Sequence, residues 1–61
     1  MTTFAFEHQG YRFRVSPQGQ DGLRVDVWRE DDGHKGAHWE RLPELRPDAA
    51  SAVEMARKSV A

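Results

Sequence analysis

Residues 11–28 read Tyr11-Arg12-Phe13-Arg14-Val15-Ser16-Pro17-Gln18-Gly19-Gln20-Asp21-Gly22-Leu23-Arg24-Val25-Asp26-Val27-Trp28. Apolar side chains fall on alternate positions, Tyr11, Phe13, Val15 and then Leu23, Val25, Val27. That period of two is the mark of half-buried antiparallel strands. Between the two runs stand Pro17, Gly19, Asp21 and Gly22, a dense set of turn residues. Two adjacent strands joined by a turn are therefore written into this stretch, and the rest of the fold is read outward from it.

Upstream, Phe4 and Phe6 continue the alternation, and His8-Gln9-Gly10 reads as a hairpin turn in which glycine accommodates positive φ. The expected strands run from about Thr3 to Glu7, Tyr11 to Ser16 and Leu23 to Glu30, with Pro17 ending the second because proline has no ladder donor. Downstream, Asp31-Asp32-Gly33 reads as a tight turn. Trp39 to Leu42 is a candidate fourth strand closed by Pro43, and Leu42 to Pro47 is a stiff connector. The period then changes. Ala49, Ala52, Val53, Ala56 and Val60 lie on one face at ~100° per residue, an amphipathic helix. Pro47 and Asp48 suit its start, and Arg57 and Lys58 suit its C-terminal end.

The expected fold class is α+β: an antiparallel three- or four-stranded meander with one C-terminal helix packed on one face, a single domain over residues 1–61. Its expected core is Phe4, Phe6, Tyr11, Phe13, Val15, Leu23, Val25, Val27, Ala49, Ala52, Val53, Ala56 and Val60, with Leu42 and Leu45 sealing the connector side. Alternation puts Ala5, Glu7, Arg12, Arg14, Arg24, Asp26, Trp28 and Glu30 on the opposite, outer face. A wet face of opposite charges is the ordinary arrangement for such sheets. Trp28 stands out there as an exposed aromatic at the centre, whereas Trp39 is expected at the edge of the core under the connector.

Size and composition narrow the function classes. A domain of 61 residues buries only ~60% of its unfolded surface. With no cysteine to brace it, self-association is the remaining aid. Nine basic and ten acidic residues give a net charge of −1, which weighs against a protein living on phosphate contacts. The first residues lack the basic-then-apolar pattern of a signal peptide, and no apolar run approaches the ~20 residues of a membrane span. A cytoplasmic, non-membrane protein is the expectation.

Candidate chemistry is sparse. His34 and His38 are four apart, a metal-ligand spacing on a helix, but Gly33 and Gly36 argue against a helix there. Neither a metal site nor a cofactor is expected. Ser16, Ser51 and Ser59 lack a His/Asp partner or a nucleophile elbow, His8 sits in a turn, and the scattered glycines match no phosphate-binding loop. An enzyme is not expected.

Three strands followed by an alanine-led helix resemble the Arm-type DNA-binding domains at the front of phage integrases. That resemblance implies Arg12, Arg14, Arg24 and Trp28 as a reading face. In size, layout and Arg/Ala-rich composition, the chain also resembles short uncharacterised bacterial proteins classed as domains of unknown function. The expected function is a small non-catalytic interaction module. It binds a protein partner or a second copy of itself through Trp28, Arg12, Arg14 and Arg24. A weak nucleic-acid-binding module using the same face is the alternative.

Overall fold

The computed structural model describes residues 2–30, 33 and 36–61. Within them the chain forms β1 (Phe4–His8), β2 (Tyr11–Pro17), β3 (Leu23–Arg29), β4 (His38–Arg41) and α1 (Ala49–Ser59). The strands make one antiparallel sheet in the order β1-β2-β3-β4, so the α+β meander expected from the alternation is present, with the fourth strand included. The His34 member of the candidate metal pair, and Asp31-Asp32 of the acidic turn, lie outside the described residues.

Each junction has a local cause. His8 pairs with Tyr11, leaving Gln9 and Gly10 as a two-residue turn with φ of 52° and 82°. Positive φ at both central residues is the turn type whose twist matches a hairpin. β2 then pairs with β3 in the register Phe13 to Val27, Val15 to Val25 and Pro17 to Leu23. That register stacks the apolar residues of both strands on one face. Pro17 is tolerated as the last strand residue.

The connector is pinned rather than merely stiff. Leu42 N donates to Val25 O at 2.8 Å, Leu23 N to Arg46 O at 2.7 Å and Arg46 N to Leu23 O at 2.9 Å. The segment therefore runs back along β3 and delivers the helix onto the sheet. Asp48 caps that helix: its φ and ψ are −148° and 171°, and its Oδ1 accepts from Ser51 N at 2.8 Å. Arg57 and Lys58 occupy the last turn, where the helix dipole favours cations.

The cap makes stability depend on pH. The Ser51 backbone N–H holds the Asp48 carboxyl below its ordinary value, and a hydrogen bond from Lys58 does the same for Glu54. Both groups bind protons more weakly in the folded state. Their stabilisation is complete above the unfolded carboxylate value of about 4 and is lost as pH falls through the lower folded values. Asp48→Asn keeps a capping oxygen but removes the titration. Thermal melts of this variant are expected to lose less on acidification from about pH 5 to about pH 3 than wild type does.

The fully buried apolar core is Phe13, Val15, Leu23, Val25, Val27, Ala52 and Ala56, with Phe4, Phe6, Leu42, Met55 and Val60 packed against it. Phe6 stacks on Phe13 with ring centroids 5.3 Å apart, and Phe4 follows at 6.3 Å. Several expected core members are corrected. Tyr11 is 40% exposed, because it sits beside the β1–β2 turn while α1 packs on β3 and β2 nearer the connector. Ala49 is exposed and Val53 half-buried. The helix is rotated so that Ala52, Ala56 and Met55 face the sheet. Ala49 and Val53 instead line an open groove beside Phe4. Met55, itself half-buried, packs against the core on the connector side, near Leu42. Among the described residues no helix is long and apolar enough to cross a membrane.

Candidate functional site

The same registers that build the core assemble the opposite face. Ala5 stands opposite Arg14 and Glu7 opposite Arg12. Arg14 stands opposite Asp26 and Ser16 opposite Arg24. On the other side of β3, Asp26 meets Arg41 and Trp28 meets Trp39. All four expected site residues, Arg12, Arg14, Arg24 and Trp28, therefore share one face, and β4 adds Trp39 and Arg41 to it.

Trp39 is the first correction. It packs against Trp28 on the outer face, with ring centroids 5.3 Å apart and planes at 69°. The cause is its register opposite Trp28, which forces both rings onto one side of the sheet. Edge-to-face packing then suits the ring quadrupoles. The Arg14 guanidinium lies 4.3 Å above the Trp39 ring centre, a cation–π contact. Each tryptophan thus shields the other, and Trp28 is half-buried rather than fully exposed.

Asp26 is the second correction, and a larger one. Expected as one charge of a wet face, it is fully buried. Arg24 Nε lies 3.0 Å from its Oδ1, and Arg14 Nη2 lies 3.6 Å from its Oδ2. Oδ2 makes no hydrogen bond among the described residues. Both arginine side chains reach solvent, while the carboxylate they pair with does not. The face therefore carries its acid beneath and its bases above. Glu7, on the same face in β1, is exposed and only loosely paired with the exposed Arg12, at 4.0 Å.

A groove of about 300 Å³ opens beside Trp28, between Arg12 and Arg29, with Glu7 and Glu30 at its margin. Around the end of the sheet, Arg29 Nε binds Glu40 Oε2 at 2.6 Å and its guanidinium stands 6.0 Å from the Tyr11 ring centre. His38 shares its Nδ1 with Gly36 O at 2.8 Å. Among the described residues no group of three or more His, Asp or Glu is placed to hold a metal. Ser59 donates its hydroxyl to Ala56 O at 2.6 Å, a bond within the helix.

Sequence reasoning placed Asp26 on the face but missed its burial, and missed Trp39 and Arg41 as members. A signal for Asp26 was present in Val25-Asp26-Val27 on a central strand, where a carboxylate between valines needs cationic cover. Trp39 required the β3–β4 register, which no local pattern states. Comparison with known protein families, with curated proteins and with solved structures found no match.

Proposed function

We propose that this chain is a small non-catalytic interaction module that binds a protein partner through the outer face of its sheet. The observation that carries the reading is the Trp28–Trp39 pair, set on the face away from the helix and flanked by Arg12, Arg14, Arg24 and Arg41. Tryptophan and arginine are the residues that most often dominate binding energy in interfaces. A rigid aromatic pair presents contact area at little cost in ordering.

The partner is a second copy or another protein, and two measurements separate them. Light scattering over a dilution series reads self-association, with tryptophan fluorescence on the same samples. A concentration-dependent dimer that Trp28→Gln dissociates, without loss of fold, identifies a second copy as the partner. A monomer at every concentration directs attention outward. A photo-crosslinking residue at position 12, on the face, is then compared with one at position 58, on the far side of the helix. Protein adducts from position 12 that position 58 does not give support the reading. Identical adducts from both sites, or none from position 12, sink it.

A further inference from the structure

We propose that Asp26 is a positioning carboxylate, and that the guanidinium groups it holds bind the carboxylates of an acidic peptide segment on the partner. The inference rests on the outer-face reading above and names the chemistry of what that face takes.

The first support is vertical order. The Asp26 side chain is 1% exposed, while those of Arg14 and Arg24 are 37% and 34% exposed. An approaching anion meets the guanidiniums and not the acid that neutralises them. The second is spare hydrogen-bonding capacity. A guanidinium carries five N–H donors in a fixed fork. Arg24 spends one of these donors, its Nε–H, on Asp26, and its side chain reaches solvent. Arg14 is held between the Trp39 ring and Asp26, and Arg41 stands opposite Asp26 on β4. Fixing these long side chains in advance removes much of the ordering cost that an arginine normally meets on binding.

The third support is that Asp26 serves the fold poorly. A buried carboxylate with one oxygen that accepts no hydrogen bond among the described residues carries a desolvation cost that an apolar residue at this position would avoid. Its return is in the orientation of the cations around it.

The same geometry separates a peptide from a nucleic acid. Bases bind single-strand readers by stacking on open aromatic faces, and here Trp39 is covered by Arg14 and abutted by Trp28. A polyanion also needs a long basic track, whereas this patch is short, has Glu7 at its margin and belongs to a chain of net charge −1. A pair of carboxylates matches a guanidinium fork two N–H groups at a time.

The experiment titrates the whole chain with an oligoglutamate peptide and, separately, with a thymidine oligonucleotide of equal charge. NMR follows the indole N–H signals of Trp28 and Trp39 and the Nε–H signals of the arginines. The peptide is expected to shift those signals and to bind more tightly than the oligonucleotide. Arg24→Lys keeps the charge but loses the fork, and is expected to bind the peptide roughly tenfold more weakly, the loss of about one charge-assisted hydrogen bond. Asp26→Asn raises the net charge by one. Simple charge attraction predicts tighter binding, whereas positioning predicts weaker binding.

If Asp26→Asn stays folded and binds more tightly, or if Arg24→Lys binds as wild type does, the positioning role is overturned. Should Asp26→Asn fail to fold, Arg24→Lys decides alone. Tighter binding of the oligonucleotide, read on the same signals, overturns the carboxylate assignment while leaving the face as the binding surface. No shift of these signals with the peptide also overturns the assignment, and the crosslinks from position 12 then judge the face independently.

Discussion

Phe13→Ala is expected to be severely destabilising and to lower the urea midpoint well below that of wild type. Phe13 is fully buried, stacks on Phe6 and stands opposite Val27 on the central pair of strands. Truncating a buried aromatic to alanine costs about 3–5 kcal/mol, the lost transfer energy plus the cavity left behind. At about 0.05–0.15 kcal/mol per residue, a chain of 61 residues holds about 3–9 kcal/mol in all. The substitution therefore removes from about a third to all of the total. The core offers little with which to fill the hole. Its fully buried members besides Phe13 are three valines, one leucine and two alanines, and the β-branched residues among them are stiff at χ1. Urea titration followed by circular dichroism checks the prediction, with Phe13→Leu as the milder comparison. A midpoint for Phe13→Ala within a few tenths of wild type would contradict the burial of this face.

Gly22→Ala is expected to cost nearly as much, by a different route. Gly22 has φ of +118°, and a Cβ built there meets the Arg46 carbonyl oxygen at 2.6 Å. That φ lies in a region that L residues rarely adopt, with strain of about 1–3 kcal/mol. The clash is with backbone, so no side chain can swing aside. Relief requires moving Arg46, which exchanges two hydrogen bonds with Leu23, each worth about 1 kcal/mol net. The bridge they form is what brings the connector, and after it the helix, back to the start of β3. A total loss of about 3 kcal/mol is expected, and amide exchange at Leu23 and Arg46 should accelerate more than at Val27. Gly19→Ala is the control: its φ of +57° is also left-handed, but an added Cβ meets nothing within 4 Å. Equal losses for the two variants would show that only backbone conformation matters and that the Arg46 contact is dispensable.

The legibility of this chain differs element by element. The strands were readable because alternation over Phe4–Val27 is uninterrupted except by turn residues, and the face it selects is the one that is buried. Ends moved by one residue, as at β4, where pairing with Arg29 begins at His38. The helix was readable in existence and start, since Asp48 supplies a cap with a clear chemical role. Its rotation was not. Ala49 and Val53 fit the helical stripe as well as Met55 does, and the contacts with β3 and β2 decide between them.

The outer face shows the same division. That Arg12, Arg14, Arg24 and Trp28 share a side follows from period two alone, and the structure places them so. Which charges reach water does not follow, because alternation assigns a side and says nothing about depth. The sequence counts Asp26 as an acid that interrupts a basic face. The fold pairs it with Arg14 and Arg24, whose side chains reach solvent while the carboxylate does not.

What the sequence by itself determined is the set of local choices: strand against helix, the sites of turns, the helix cap, and the sorting of side chains between two faces. Each depends on a residue and its near neighbours along the chain. What only the tertiary structure decided is which strands pair in which register, how the helix is turned about its axis, and which polar groups lie beneath others. Those outcomes depend on contacts between residues far apart in the chain. Trp28 with Trp39, Gly22 with Arg46, and Asp26 with Arg14 are such contacts, and their energies exist only once the sheet has closed around them.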